Sequence, residues 1–236
     1  SLFLGCTVGV HPTRCQQEFI DNVIDNNNNT SNTTSSSSTA ITTADDILNE
    51  LRQIAIDGMP DGVVVAIGEI GLDYDRLQFS SQQVQMEFFK RQLHTFMGVM
   101  ETDDEAVTAF NNINNPSQLP KQPNLLSHLS LFLHNRNVGR DLLEVLQEVS
   151  SSNSGTTTRL RGVVHSFDDS LDLATEFIDM GLYIGLNGCS LKTNDNLMVV
   201  KSLPLDSILL ETDCPYCEIK ATHAGHQYIQ TSFQDR

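Results

Sequence analysis

Six short apolar runs recur along the chain, and each one ends at or shortly before a polar or ionisable side chain. Between successive runs, apolar residues return at the three- and four-residue spacing of a helix with one buried face. Short apolar runs bounded by turn residues are typical of buried strands. Because strands that alternate with helices form parallel β-α units, this pattern predicts an α/β fold with a parallel sheet.

The predicted elements fit a single domain, residues 1–236, since single α/β domains often reach about 200–250 residues. The predicted strands are residues 2–10, 63–69, 129–134, 162–165, 182–186 and 207–211. Helices are predicted from about Asp45, after a cap at Ser80 or Ser81, through Leu142 and Leu146, and through Ala174 and Phe177. Polar insertions are expected near residues 25–45, 101–124 and 150–158, because these stretches have too few apolar residues to pack.

The ends of the predicted strands carry the candidate functional residues. In parallel β-α folds, side chains at the C-terminal ends of the strands collect on one face and build the active site. The residues at these positions are His11, Glu69, His134, His165, Asn187 and Asp213. Taken singly, a buried His is more often a hydrogen-bonded core residue, and Asp213 is also placed to cap a helix. Together, two His and two carboxylates form a nitrogen and oxygen set suited to Zn²⁺, Mn²⁺, Fe²⁺ or Mg²⁺.

Charge and hydropathy limit the classes of partner. The formal net charge is −16, from 30 acidic and 14 basic residues, so the molecule as a whole repels nucleic acid backbones and anionic membranes. No run approaches the roughly 18 apolar residues needed to cross a bilayer, and the N-terminus lacks the pattern of a secretory signal. We therefore expect a soluble intracellular protein, cytoplasmic or nuclear.

The five cysteines are scattered and odd in number, which suits a reducing compartment better than a disulfide framework. Cys214 and Cys217 form a Cys-x-x-Cys pattern. A redox motif of this kind opens a helix in a thioredoxin-like unit, and a zinc site needs a second pair. We therefore interpret the two cysteines as neighbours of Asp213 rather than as a redox or zinc motif.

Four of the 14 basic residues lie in the loops that follow the polar strand ends. These residues are Arg14, Arg76, Arg136 and Lys192. A locally positive rim around a metal would bind a strand terminus, whereas the acidic remainder of the surface disfavours long contacts along a duplex. The competing interpretation is that these side chains are only solvated.

Six blocks of the sequence closely resemble the successive blocks of the TatD family of metal-dependent deoxyribonucleases, in particular its eukaryotic TatD DNase domain-containing members. The blocks are "TVGVHPTRC", "GEIGLDYDRLQF", "FLHNR", "GVVHSFDDS", "YIGLNGCSLKT" and "LLETDCPYCEIKATHAG". They occur in the family's order and cover nearly the whole chain outside the polar insertions. The resemblance implies a TIM barrel of the amidohydrolase kind, one or two divalent cations (Mg, Mn or Zn) and hydrolysis of phosphodiester bonds in a DNA substrate.

The resemblance also implies roles for individual residues. Glu69 resembles the carboxylate ligand shared between metals, and His134, His165 and Asp213 resemble the remaining metal ligands. His11 resembles the motif histidine close to the centre and is a catalytic candidate. Asp213 is the second catalytic candidate, expected to orient or deprotonate a metal-activated water. No Ser or Cys nucleophile is required.

Two parts of the family pattern are missing, and two other functions stay open. The family's first strand would lie before Ser1 and its last helical segment after Arg236, so we expect a barrel that is incomplete at both termini. Hydrolysis of D-aminoacyl-tRNA, or of a small amide, is an alternative on the same scaffold, because one barrel hosts many chemistries. A further alternative is an inactive interaction module that keeps the fold.

Overall fold

The computed structural model describes residues 5–24, 43–97, 129–151 and 159–230, and within them the chain forms one six-stranded parallel sheet. The strands are β1 (Cys6–Val8), β2 (Val64–Asp73), β3 (Ser130–Arg136), β4 (Gly162–His165), β5 (Leu182–Leu186) and β6 (Ile208–Leu210). Each strand pairs with the next one in the sequence, in the order β1-β2-β3-β4-β5-β6. Sequential parallel order is the order of a TIM barrel, and the predicted α/β barrel class is confirmed.

Within the described residues, five α-helices alternate with the strands, and the first four are those predicted. They are α1 (Ala44–Gly58), α2 (Gln82–Met97), α3 (Asp141–Ser151), α4 (Leu171–Asp179) and α5 (Asn194–Ser202). Thr43 caps α1, where its hydroxyl accepts a hydrogen bond from the Asp46 amide. Ser81 supplies the predicted cap of α2 by accepting from the Val84 amide. None of the described helices has the length and apolar character that crossing a bilayer would require.

The predicted polar insertions fall mostly outside the described residues. Residues 101–124 lie entirely outside, and so do residues 25–42. The predicted loop at residues 150–158 is wrong at its start, because α3 continues through Ser150 and Ser151. The two hydroxyls donate to the carbonyl oxygens of Leu146 and Gln147, one turn earlier, which lets serine continue a helix.

The main core lies between the sheet and the helices packed on it. Buried side chains of the strands include Ile67, Leu133, Val164 and Ile184, and those of the helices include Phe89, Leu93, Leu142, Leu146 and Phe177. A second, smaller cluster packs Cys15, Phe19, Leu48 and Phe88, with the Phe19 and Phe88 rings stacked at 4.3 Å between centroids. This second cluster fixes the segment that follows His11 against α1 and α2.

Strand β2 differs from the prediction in a way that affects the site. The sequence pattern ends this strand at Glu69, but the strand continues to Asp73. The pairing with β3 shifts between Gly68 and Ile70, so Glu69 is an extra residue without a partner on β3. A bulge of this kind redirects a side chain while the strand continues. Glu69 therefore lies within a strand rather than at its end.

Gly71 allows β2 and β3 to approach closely behind this bulge. It has a φ of 145°, and a Cβ atom added there would lie 2.1 Å from the carbonyl oxygen of His134. That oxygen belongs to the backbone of the paired strand β3, so it cannot move away without disturbing the pairing of the two strands. The absence of a side chain at Gly71 thus sets the spacing between the strands that carry Glu69 and His134.

We expect Gly71→Ala to lower the free energy of unfolding by at least about 3 kcal/mol, through overpacking and an unfavourable φ. Gly139→Ala is the matched control, because Gly139 also has a positive φ of 56° but an added Cβ would meet nothing within 4 Å. The control should lose only about 1–2 kcal/mol. Urea unfolding followed by circular dichroism measures both, and equal losses would contradict the role assigned to Gly71.

Candidate metal centre

One carboxylate oxygen, Glu69 Oε1, lies at the centre of a group of histidines. It is 2.5 Å from His134 Nδ1 and 2.6 Å from His165 Nε2. His11 Nε2 lies 3.4 Å from the same oxygen. The structure thus brings together four of the residues singled out from the sequence, from three different strands and the loop after β1.

The local fold explains why these side chains meet. His134 and His165 are paired residues of the parallel strands β3 and β4, so their side chains leave the sheet on the same face. The bulge in β2 directs Glu69 toward them. The Phe132 ring stacks on the His165 ring, with centroids 4.8 Å apart, and supports its orientation. Both histidines are buried, with 6% and 3% of their surface exposed, whereas Glu69 keeps 27% of its side chain exposed.

His11 reaches the group from the loop after β1. It precedes the short 3-10 helix Pro12–Arg14, and its Nδ1 accepts a hydrogen bond from the Thr13 amide at 3.2 Å. An Nδ1 that accepts carries no proton, so the neutral ring holds its proton on Nε2. His11 Nε2 therefore points a proton toward Glu69.

Two further carboxylates stand behind the histidines, and sequence reasoning missed both. Asp73 Oδ2 lies 3.2 Å from His134 Nε2, and Asp73 is only 1% exposed. Glu211 Oε2 lies 3.5 Å from His165 Nδ1, which is long for a hydrogen bond, so Glu211 acts there mainly as a nearby negative charge. Each histidine ring thus lies between the shared Glu69 and a carboxylate of its own.

A sequence signal existed for both of these carboxylates. Asp73 follows Glu69 by four residues, so both side chains lie on the same face if the strand continues. Glu211 precedes Asp213 by two residues in the stretch "LLETDCP". The predicted end of β2 at Glu69 leaves Asp73 outside the strand. In the stretch "LLETDCP", the prediction names only Asp213.

The histidines and carboxylates shift each other's pKa values. Burial alone would raise the pKa of Glu69, but hydrogen bonds from His11, His134 and His165 outweigh it and hold the pKa well below its usual range. Burial alone would lower the pKa of His165, but the carboxylates of Glu211 and Glu69 raise it to about 9. The pKa of His134 is likewise raised, because Asp73 and Glu69 outweigh its burial. Without a metal, this group favours an ionised Glu69 beside protonated His134 and His165 rings.

The same donors suit a divalent cation. His11, Glu69 and His134 offer ligand atoms that all lie within 4.8 Å of one another. His134 Nδ1 and His165 Nε2 face each other at 3.1 Å while both face the same carboxylate oxygen. Two lone pairs and a carboxylate aimed at one point are the donor set of a cation site, and imidazole with carboxylate suits Zn²⁺ and related ions.

Asp213 lies on the loop after β6, and its role as a metal ligand stays a prediction. Its backbone has a φ of 52°, in the left-handed region. Its Oδ2 accepts a hydrogen bond from the Cys217 thiol at 3.2 Å. Burial, the Cys189 thiol and Asp213 together raise the pKa of Cys217 to about 12, so this thiol keeps its proton at neutral pH. The described contacts of Asp213 thus lead to Cys217 rather than to Glu69.

Three of the four predicted basic residues have an acidic neighbour within 4 Å. Arg14 pairs with Glu18 at 3.1 Å, and Lys192 lies 3.9 Å from Asp168. Arg76 Nε lies 3.9 Å from Asp73 Oδ2. At least 40% of each of these three side chains is exposed, so the cations border solvent rather than the core.

Comparison with known proteins adds independent information. The sequence profile of the family described as TatD-related DNase matches residues 1–95 and 126–234. "Deoxyribonuclease Tat-D" of Schizosaccharomyces pombe is 40% identical over 187 residues, which are 79% of this chain and 49% of that protein. An uncharacterized metal-dependent hydrolase of Bacillus subtilis is 30% identical over 155 residues, 65% of this chain and 47% of its own length.

A solved structure agrees with these matches. The crystal structure of an uncharacterized amidohydrolase from Saccharomyces cerevisiae superposes with a TM-score of 0.67 at 32% identity, covering 96% of this chain and 60% of that one. The chain spans about half the length of the curated relatives that it matches.

We expect the metal-free protein to lose stability as the pH rises from 6.5 to about 9. A histidine whose pKa is raised by folding stabilises the fold below its unfolded pKa, and that contribution disappears as the pH passes the folded value. For His165 the loss is at most about 3 kcal/mol. Urea unfolding at several pH values in the presence of a chelator measures it.

The matched variants are His165→Asn and His226→Asn. The first should reduce the pH dependence between these values and leave the part that His134 contributes, and the second, at an exposed histidine, should leave it unchanged. A slope in His165→Asn as steep as that of the unsubstituted protein would show that the stability change arises elsewhere.

Proposed function

The chain belongs to the TatD-related DNase family, and from this membership we propose that the protein is a divalent-metal-dependent deoxyribonuclease that hydrolyses phosphodiester bonds at DNA strand ends. The observation that carries the proposal is the Glu69 carboxylate, which faces nitrogen atoms of three histidines at 2.5–3.4 Å. Hydrolysis of a phosphodiester needs an activated water and positive charge near the phosphoryl oxygens. A nitrogen and carboxylate group of this kind can hold the cation that provides both.

We assign the metal ligands to Glu69, His134, His165 and Asp213. A bound divalent cation supplies a water of lowered pKa and polarises the phosphate. We assign Glu69 as the central ligand, because His134 and His165 both face its Oε1. Asp73 lies beside the outer nitrogen of His134, and Glu211 lies beside that of His165. These contacts favour the ring orientations in which the inner nitrogens face Glu69.

Asp213 and His11 are the proposed catalytic residues. Asp213 is assigned to orient the attacking water and accept its proton, because it follows β6 on the same edge of the sheet as His165 and keeps a free carboxylate oxygen. His11 holds a proton on Nε2 and has 30% of its side chain exposed. That proton is available to an oxygen of the substrate at the mouth of the site.

The charge distribution supports strand ends as the substrate. A net charge of −16 disfavours an extended contact with a duplex. Arg14, Arg76, Arg136 and Lys192 lie in or next to the loops that follow the strand ends of the site, where a terminal phosphate could be held. Arg14, Arg76 and Lys192 also lie next to carboxylates, so these basic side chains attract DNA weakly and only at short range.

We expect Glu69→Ala to reduce divalent-metal affinity and metal-dependent DNA cleavage by more than about 100-fold, because the two histidines lose the carboxylate that they share. Glu218→Ala, at an exposed carboxylate on the loop after β6, is the control and should keep both properties. Isothermal titration with Mn²⁺ or Zn²⁺ measures binding, and an end-labelled oligonucleotide measures cleavage. Near wild-type turnover of Glu69→Ala, or hydrolysis of D-aminoacyl-tRNA without DNA cleavage, would refute the proposal.

We expect Lys192→Ala to raise the KM for single-stranded DNA several-fold and to reduce the salt dependence of binding by about one phosphate contact, with little change in kcat. Lys201→Ala is the matched control, since Lys201 lies over the Tyr228 ring at 5.4 Å and hydrogen-bonds its hydroxyl. Steady-state kinetics between 50 and about 200 mM salt separate the two variants. An identical shift in both would indicate a general charge effect rather than a rim at the site.

A further inference from the structure

Two cysteine sulfurs from different strand-end loops lie next to each other beside the metal centre. Cys189 begins the 3-10 helix Cys189–Leu191 after β5, and Cys217 lies on the loop after β6. Their Sγ atoms are 2.7 Å apart, although 28 residues separate them in the chain. Both are free thiols. The sequence paired Cys217 with Cys214, but the fold pairs it with Cys189.

Backbone contacts hold the two loops together, so the approach of the sulfurs does not depend on side-chain rotation alone. A Cβ added at Gly188 would lie 2.0 Å from the carbonyl oxygen of Cys217, which means that the two backbones touch there. The Cys189 amide donates to Asn187 Oδ1 at 2.8 Å, and Asn187 Nδ2 donates to Ser166 Oγ at 2.5 Å. The thiols are therefore presented to each other by a rigid, hydrogen-bonded frame.

We propose that Cys189 and Cys217 form a reversible disulfide that controls the position of Asp213. A disulfide has an S–S bond of about 2.05 Å, so the two sulfurs need to approach by only about 0.7 Å. Cys217 is half-buried and can meet a reagent, whereas Cys189 is only 6% exposed. In a reducing compartment, disulfides of this kind are transient and serve redox sensing or catalysis.

The oxidant is a low-molecular-weight disulfide, RS–SR, and the reaction balances in two steps. Cys217 first loses its proton to solvent, and the small thiolate fraction attacks one sulfur of RS–SR, which forms a mixed disulfide and releases RS⁻ that takes up a proton and leaves as RSH. The Cys189 sulfur then attacks the Cys217 sulfur, which closes the protein disulfide and releases the second RSH with the Cys189 proton. Two protein thiols are oxidised, and the small disulfide is reduced to two thiols.

The consequence for Asp213 follows from the hydrogen bond that the reaction removes. In the reduced protein the Cys217 S–H donates to Asp213 Oδ2 at 3.2 Å. A disulfide has no proton to donate, so Asp213 loses this partner while the bond ties the loops after β5 and β6 to each other. This effect on the metal centre rests on the proposed function, whereas formation of the disulfide does not.

The experiment exposes the native chain to oxidised glutathione, then unfolds it in denaturant with an alkylating reagent so that buried Cys15 also reacts, and locates the links by peptide mass spectrometry. The expected result is a Cys189–Cys217 link, with three of the five cysteines still alkylated, and full reversal by dithiothreitol. Cys189→Ser should abolish the link, while Cys6→Ser, at an exposed cysteine on β1, should leave it intact. Circular dichroism of each variant establishes that it is folded.

The second measurement is divalent-metal affinity, by titration with Mn²⁺ of the oxidised and reduced protein. We expect oxidation to weaken binding at least five-fold, with recovery on reduction and no change in oxidant-treated Cys189→Ser. A Cys214–Cys217 link, a stable glutathione adduct on Cys217, or five alkylated cysteines after treatment would overturn the pairing. A Cys189–Cys217 link with unchanged metal affinity would overturn control of Asp213. If the link and the change in metal affinity both occur but the reduced, metal-loaded protein cleaves no DNA, the result counts against the proposed function alone.

Discussion

The electrostatic arrangement around Glu69 is the constraint on which the rest of the site depends. A carboxylate drawn into a sheet needs partners, because burial of an unpaired charge is strongly unfavourable. His11, His134 and His165 provide these partners, and each comes from a different part of the chain. The bulge in β2 and the close approach at Gly71 are the backbone features that let one oxygen meet all three rings.

The charge balance of the site extends one layer further out. Asp73 and Glu211 place negative charge on the outer sides of His134 and His165, while Glu69 lies on the inner sides. In the absence of a cation, this favours protonated rings. A cation that binds must displace those protons, and the outer carboxylates then strengthen the rings as ligands. The outer carboxylates would therefore have a role both without a cation, as partners of protonated rings, and with one, as partners of the ligands.

The sequence predicted the parallel sheet and four residues that meet at its edge, namely His11, Glu69, His134 and His165, because apolar periodicity and strand-end polarity are local signals. It did not predict that β2 passes through Glu69 to Asp73, since a bulge depends on the partner strand and leaves no local pattern. Nor did it predict the contact of Cys189 with Cys217, because proximity in the chain favoured Cys214. Contacts between loops of different β-α units are set by how the strands that carry those loops pair. A single sequence contains no local signal for such contacts.

The sequential order of the strands also has a consequence for the growing polypeptide. Since each strand pairs with the one made just before it, β-α units can dock in the order of their synthesis. Glu69 is made 65 residues before His134 and 96 residues before His165. For that interval on the ribosome, the nascent chain carries the Glu69 carboxylate with two of its histidines still to come. The water around the nascent chain is the partner of Glu69 until β3 and β4 arrive, so the centre is assembled by replacing solvent with imidazole, one strand at a time.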